Sequence, residues 1–308
     1  MTLKVVFMGS PEFGVPTLRA LNAEFRVAGV VTRPDKPRGR SRMPVPTDVK
    51  KAALELQLPV IEPGRLDSPE TMEALRGWDP DVIVVAAYGK MLPEGILTLP
   101  RKGCVNLHAS LLPRHRGASP IAAAILAGDK ATGVTTMLMD RGMDTGDILL
   151  TKEVPVREDD TAGSLYERLL EPGAELVVQT LRKIMDRSIR PVPQDHSRAT
   201  YCKPLSREDG RLDWDLDAAY LARQVRAMNP APGAFFQLCA QAVKVWEASH
   251  KDGKAEAGFV ASIQQEGIAV GTGAGLLVLR QVQVPARKRI SGVEFARGCR
   301  LKEGDRLG

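Results

Sequence analysis

GCVNLHASLLPRHRGASPI (residues 103–121) and TGVTTMLMDRGMDTGD (residues 132–147) decide how this chain is read. Residues 104–108 alternate as a strand does, so Asn106 and His108 fall on one face, two positions apart. The SLLPRHRG run follows at once and ends that face in a loop. A second apolar, strand-like run, 134–139, closes in the glycine-bearing loop RGMDTGD, which carries Asp144. An amide, an imidazole and a carboxylate at strand ends suit the transfer of a small carbonyl group. The amide donates to a developing oxyanion. The imidazole moves a proton, and the carboxylate orients it and stabilises its charged form. Taken alone, N-x-H is more often a satisfied polar pair at a strand edge, and Asp144 a turn residue. The flanking sequence decides between the two readings.

Working outward, residues 3–8 read as a buried strand, turned by Gly9-Ser10-Pro11 into a helix over 13–24. Strand, glycine turn and helix open an α/β unit. The glycines do not make G-x-G-x-x-G, so no dinucleotide site is read here. Strands follow at 27–32, 59–61, 81–88, 105–108, 134–139 and 148–154. Helices are expected at 48–56, 69–76, just after Pro93, at 118–127 and at 161–185, the last interrupted near Pro172-Gly173. This spacing indicates a Rossmann-like, doubly wound sheet, with a mixed far edge where the late strands crowd together. From 188 to 210 the chain is polar and proline-bearing, which fits a linker. A helix at 216–228 precedes short alternating runs at 243–246, 258–263, 268–271 and 276–284. Short antiparallel strands in this number suggest a small OB-like β-barrel. The expected layout is therefore a catalytic domain over 1–188, a linker over 189–207 and a barrel domain over 208–308.

The chain has 308 residues, 44% hydrophobic and 26% charged, enough for two ordinary cores. The four cysteines, Cys104, Cys202, Cys239 and Cys299, are scattered without a C-x-x-C, so neither a zinc site nor a disulfide framework is expected. Cys104 shares the parity of Asn106 but has no base at hand, and reads as core packing. His115, His196 and His250 are isolated, and no metal is expected. The apolar run in MTLKVVFMGSPEFG is too short for a signal segment, and no stretch approaches a membrane span. A cytoplasmic location and a monomer are the default readings.

Net charge is +6, which permits a nucleic-acid partner without requiring one. The excess is concentrated. Between 33 and 42, Arg33, Lys36, Arg38, Arg40 and Arg42 face only Asp35, among prolines that exclude regular structure. The 190–207 tract holds Arg190, Arg198, Lys203 and Arg207. Residues 280–308 hold eight cations, among them Arg287, Lys288 and Arg289, against three acids. Such runs are usually solvated faces, but beside a catalytic pocket they also suit a phosphate backbone.

The motifs together resemble the 10-formyltetrahydrofolate-dependent formyltransferases. The resemblance rests on Asn106-x-His108, on SLLP from Ser110 to Pro113, and on DTGD over 144–147. VVAAYGKMLP (84–93), FMGSPEFGVPTL (7–18), RPDKPRGR (33–40), NPAPGAF (229–235) and VKVW (243–246) extend it over nearly the whole chain. The RPDKPRGR loop and the C-terminal pieces place the resemblance closest to the branch that formylates methionyl-tRNA. It implies a formyl donor bound near Ser110, Leu111, Leu112 and Pro113, whose turn can bond a flat heterocycle. The strand ending at Tyr88 and the loop from Asp140 would wall that pocket. It implies direct transfer, with Asn106 and His108 on the oxyanion and Asp144 assisting the proton. It also implies tRNA contacts at Arg38, Arg40, Arg42, Lys203, Arg287, Lys288 and Arg289. The alternative within the family is a nucleotide-linked amino sugar as acceptor, which would not need the basic loop. One departure stands beside the site: His115 occupies the position where a Trp is expected.

Overall fold

Residues Lys4–Gly9 are buried after the first lysine, and Val82–Ala86 are buried throughout. Strands covered on both faces belong inside a parallel sheet flanked by helices. The computed structural model describes residues 2–37, 43–239 and 241–308, and it contains such a sheet. From one edge to the other its seven strands are Ile148–Pro155, Ala131–Leu138, Cys104–His108, Val82–Ala86, Lys4–Gly9, Arg26–Val31 and Val60–Ile61. The last five run parallel; Ala131–Leu138 is antiparallel to Cys104–His108, and Ile148–Pro155 to Ala131–Leu138. The mixed edge expected from the crowded late strands is thus present, next to the strand that carries Asn106 and His108.

Local chemistry sets the helices. Thr47 accepts the Lys50 N–H at the start of Asp48–Glu55, and Ser68 accepts the Thr71 N–H ahead of Pro69–Trp78, which opens on proline. The helix Ala162–Met185 runs through Pro172 rather than breaking there. The Pro-Gly pair is instead a packing site. A Cβ on Gly173 would lie 3.0 Å from Leu107 Cδ2, so the glycine lets the helix press onto the sheet. Tertiary packing supplies most helix stability and here overrides the local break signal.

The molecule divides into two units that are not contiguous in sequence. One holds residues 1–120, 131–155 and 166–202; the other holds 121–130, 156–165 and 203–308. Two expectations change. The tract read as a linker over 189–207 belongs to the first unit as far as Cys202. Val192 bridges Ile148, and Tyr201–Cys202 pair in parallel with Arg116–Gly117. Its polar composition marked exposure correctly but not the backbone pairing. Within the second unit, 121–130 and 156–165 join the C-terminal part: Arg223 donates to the Leu126 carbonyl at 3.1 Å and Arg226 to that of Asp160 at 3.0 Å.

The C-terminal sheet is antiparallel, in the order Ala234–Leu238, Gln241–Lys251, Leu276–Gln283, Gly267–Gly271, Val260–Gln264, with Ile290–Ser291 pairing alongside Leu276–Gln283. Register shifts at Val245/Glu247 and Val260/Ser262 bend it, as bulges do. Leu221, Val225, Phe236, Ile268, Leu277 and Phe295 fill its core. The helix Gly292–Cys299 was not expected in the basic C-terminal stretch. Its signal is Ser291-x-x-Glu294, which forms a full capping box.

The prolines of the basic loop do not exclude pairing: Lys36–Pro37 pair with Pro44–Val45. Arg38, Arg40 and Arg42 lie outside the described residues. At the foot of the loop, Lys50 Nζ binds Asp35 at 2.7 Å and Glu62 at 2.6 Å, and Arg33 donates to the Tyr88 carbonyl at 2.7 Å. Arg33 is thereby committed to the fold. Among the described residues, no helix is long and apolar enough to cross a membrane.

Candidate active site

Asn106 and His108 share one face of the strand Cys104–His108, opposite Met137 and Thr135 on the antiparallel neighbour. His108 is buried, 6% exposed. Its Nε2 lies 2.9 Å from the His115 carbonyl, and its Nδ1 lies 3.6 Å from Asp144 Oδ2. A carbonyl only accepts, so the Nε2 proton is fixed and Nδ1 is the nitrogen left to exchange one. The 3.6 Å gap is longer than a hydrogen bond. The pair is held close without being closed on itself.

Asp144 sits at φ +55°, a left-handed turn position that Asp tolerates better than most residues. Its Oδ2 accepts the Gly117 N–H at 2.8 Å. That carboxylate therefore faces both the imidazole and the loop after SLLP. The Asn106 amide makes no hydrogen bond to any described residue, and it is only partly buried. Its two N–H donors are open to a ligand. Cys104 is in the apolar core, where burial pushes its thiol up to about 12, and it serves as packing.

The SLLP turn is held from below. Thr135 Oγ1 donates to the Ser110 carbonyl at 2.6 Å and accepts the Leu112 N–H at 3.2 Å. Ser110 Oγ donates to the Arg114 carbonyl at 2.6 Å. These backbone groups of Ser110 and Leu112 are thus engaged internally, while Leu111 and Pro113 are partly exposed. Tyr88 departs from its expected place as a pocket wall. Its side chain is 1% exposed in the cluster with Leu92, Ile96 and Cys104, and its hydroxyl has no partner among the described residues. Asp140 is exposed and organises its own loop, accepting from the Gly142 N–H at 2.9 Å and Thr145 Oγ1 at 2.7 Å.

His115, at the position where an aromatic ring was expected, works through its backbone. It stands at φ +57°; its N–H donates to Thr200 Oγ1 at 2.8 Å, and its carbonyl holds His108. Thr135, Gly117, Arg116 and Gln194 were not singled out from sequence. Backbone contacts and a pairing across 85 positions leave no local pattern to read. Gly117 has φ +115°, and a Cβ there would lie 2.1 Å from the Cys202 carbonyl oxygen. Gly117→Ala should therefore destabilise the protein by about 1–3 kcal/mol through backbone strain alone. Urea unfolding measures this, and an unchanged midpoint would contradict the tight pairing of 116–117 with 201–202.

Of the expected nucleic-acid contacts, Lys203 is exposed and pairs with Asp209 at 2.7 Å, holding that carboxyl well below the usual range. Arg287, Lys288 and Arg289 form an exposed loop. The Arg289 guanidinium lies 3.6 Å from the Trp246 ring centroid, with Lys244 Nζ at 5.4 Å. Trp246 Nε1 donates to Gln283 at 2.9 Å, and Gln283 in turn donates to the Arg287 carbonyl at 2.7 Å. The basic loop is thus docked on one aromatic side chain.

A Rossmann-like sheet whose strand end presents an open amide beside an imidazole–carboxylate pair suits the transfer of a small carbonyl group. The family model described as "Formyl transferase" matches residues 3–181, and "Formyl transferase, C-terminal domain" matches residues 204–300. The chain belongs to the formyl transferase family. It is 41% identical over 307 residues to the methionyl-tRNA formyltransferase of Citrifermentans bemidjiense, covering 99% of this chain and 96% of that one. It is 44% identical over 308 residues to the enzyme of the same name from Chromobacterium violaceum, covering 99% and 100%. Among solved structures, the N-formyltransferase of Helicobacter canadensis, in complex with folinic acid and dTDP-3-aminofucose, superposes with a TM-score of 0.68 at 17% identity, over 91% of this chain and all of that one. HypX from Aquifex aeolicus matches with a TM-score of 0.62 at 18% identity, over 96% of this chain; this chain spans about half of HypX, 49%. At these identities the structural likeness concerns the fold.

Proposed function

We propose that this protein transfers the formyl group of 10-formyltetrahydrofolate to the free amino group of methionyl-tRNA, as a monomer in the cytoplasm. The observation that carries the chemistry is the open Asn106 amide beside the His108–Asp144 pair on one strand end. The acceptor follows from relatives of that name matched over nearly the full chain. A primary amine attacks the formyl carbon and the carbonyl oxygen becomes an oxyanion. Asn106 donates to that oxygen. The amine must lose a proton and the leaving nitrogen of the folate must gain one. On this reading His108 Nδ1 and Asp144 pass it, a role supported by their separation of 3.6 Å. No covalent intermediate is required.

The formyl donor would lie against Leu111 and Pro113, with the 140–144 loop opposite. The nucleotide-linked amino sugar remains the competing acceptor. Purified protein given 10-formyltetrahydrofolate with a labelled formyl group decides between them. Label should pass to methionyl-tRNA and not to an amino sugar nucleotide; the reverse pattern would replace the reading.

The basic loop and the Arg287–Lys288–Arg289 patch are assigned to the RNA, each within its own unit. Arg40→Leu should raise KM for methionyl-tRNA and slightly flatten its salt dependence, since one phosphate contact is lost. Binding of a folate analogue, followed by fluorescence, should stay as in the wild type. Equal losses for both ligands would mean that the loop shapes the donor pocket, and intact tRNA kinetics that it is a solvated surface.

A further inference from the structure

Between Met185 and Tyr201 every side chain is exposed or half-buried except one, Gln194, at 6%. A polar tract that buries only an amide does so for the amide's hydrogen bonds. Gln194 Oε1 accepts from Arg116 Nη2 at 2.6 Å and Nε at 3.1 Å. Gln194 Nε2 donates to the carbonyls of Asp144, at 2.9 Å, and Gly146, at 2.7 Å. The orientation is unambiguous. A guanidinium only donates and a carbonyl only accepts, so a flipped amide would lose all four bonds.

Arg116 is 1% exposed, and it forms no ion pair with any described residue. The remaining hydrogen-bond partners of its side chain lie on the same tract: Tyr201 Oη at 3.2 Å and His196 Nδ1 at 3.2 Å. The tract also reaches the imidazole side. Thr200 holds the His115 N–H, the Thr200 carbonyl accepts the Arg116 N–H at 2.8 Å, and the Cys202 carbonyl accepts the Ala118 N–H at 3.1 Å. The His115 carbonyl is the partner of His108, and Gly117 is the partner of Asp144. The tract therefore reaches His108 through His115, and Asp144 both through Gly117 and directly through Gln194.

We infer that residues 192–202 are a strap that sets the separation of His108 and Asp144, with Gln194 as the positioning residue for the Asp144 turn. This rests on the formyl-transfer reading of the same site. Asp144 stands in a left-handed turn that its own backbone does not favour. The Gln194 amide clamps that turn at two carbonyls. The buried guanidinium polarises the amide from the other side and strengthens both bonds. Direct contact with substrate is left to Asn106, His108 and Asp144.

Gln194→Glu separates this role from simple support of the fold. The carboxylate still accepts from Arg116 but cannot donate to Asp144 and Gly146. Thermal stability should fall only modestly, because the new ion pair with Arg116 offsets part of the two lost bonds. The kcat for methionyl-tRNA should fall about 10- to 100-fold, the penalty of a misplacement of about an ångström. KM for the formyl donor should stay within about twofold, as expected when the loss falls on the transition state. The pH–rate profile should shift with it. Thr200→Val, at an exposed position, should lower kcat in the same sense through His115. Wild-type kcat and pH profile in folded Gln194→Glu would overturn the inference, as would a loss confined to KM. The His108 ring resonances, assigned by their absence in His108→Gln, give a substrate-free readout. They should move in Gln194→Glu, and unmoved signals would overturn the strap even if another acceptor replaced methionyl-tRNA. Failure of the wild type to formylate methionyl-tRNA, with those resonances moving as expected, would defeat only the assignment of the acceptor.

Discussion

His108→Ala should lower the turnover of formyl transfer by about two to four orders of magnitude, the usual worth of a positioned acid–base group. The ring is buried, its Nε2 is committed to the His115 carbonyl, and Nδ1 faces Asp144. Removing it deletes the imidazole that the proposed mechanism uses to exchange a proton with the leaving nitrogen, and it takes away the ring 3.6 Å from Asp144 Oδ2. Binding of a folate analogue should change little, because the proposed mechanism gives the ring a part in the transfer step and none in holding the folate. The fold should lose about 1 kcal/mol, since the His115 carbonyl forfeits one hydrogen bond. His108→Gln separates the two effects. Its amide can donate to the His115 carbonyl and recover the stability, but it does not titrate, so the rate should stay low. Single-turnover rates, a folate titration and a thermal melt on the three proteins provide the check. Near-wild-type turnover in either folded variant would remove His108 from the mechanism.

Asn106→Ala should lower kcat by about two to three orders of magnitude, comparable to the loss of one oxyanion-hole donor. The expectation rests on an unmade hydrogen bond: the amide has no partner among the described residues, although the Asn106 backbone is paired on both sides, with Val85 and Met137. Since no protein bond is lost, stability should stay within about 0.5 kcal/mol of wild type. KM for both substrates should stay near its starting value, because the interaction forms only as charge develops on the oxygen. Asn106→Asp sharpens the test. It keeps the shape but replaces donors by a negative charge, so it should be at least as slow as the alanine variant. A change confined to KM would make Asn106 a substrate-binding residue.

Much of this protein was legible along the chain. The period-two alternation of 104–108, the buried valine runs at 4–9 and 82–86, and the spacing of strands and helices determine an α/β sheet with Asn106 and His108 on one face. The glycines around Asp144 mark its turn, and the crowding of the late strands marks the mixed edge. These are local properties, set by backbone geometry and by which side chains avoid water. Several features were decided only in three dimensions. Gly173 after Pro172 marks a helix break in one dimension, but against Leu107 it is a close contact that keeps the helix whole. Ser291 and Glu294 carried a capping signal that the surrounding positive charge obscured. Tyr88 stands at the end of a strand beside the site, yet its ring turns into the core. The tract 192–202 carries the polar composition of a linker, and composition records only that it meets water. Its backbone pairing with 116–117 and the burial of Gln194 depend on partners 48 to 85 positions away. Hydrogen bonds between backbone groups so distant in sequence carry no side-chain pattern, so only the folded chain brings His108, Asp144 and their supports together.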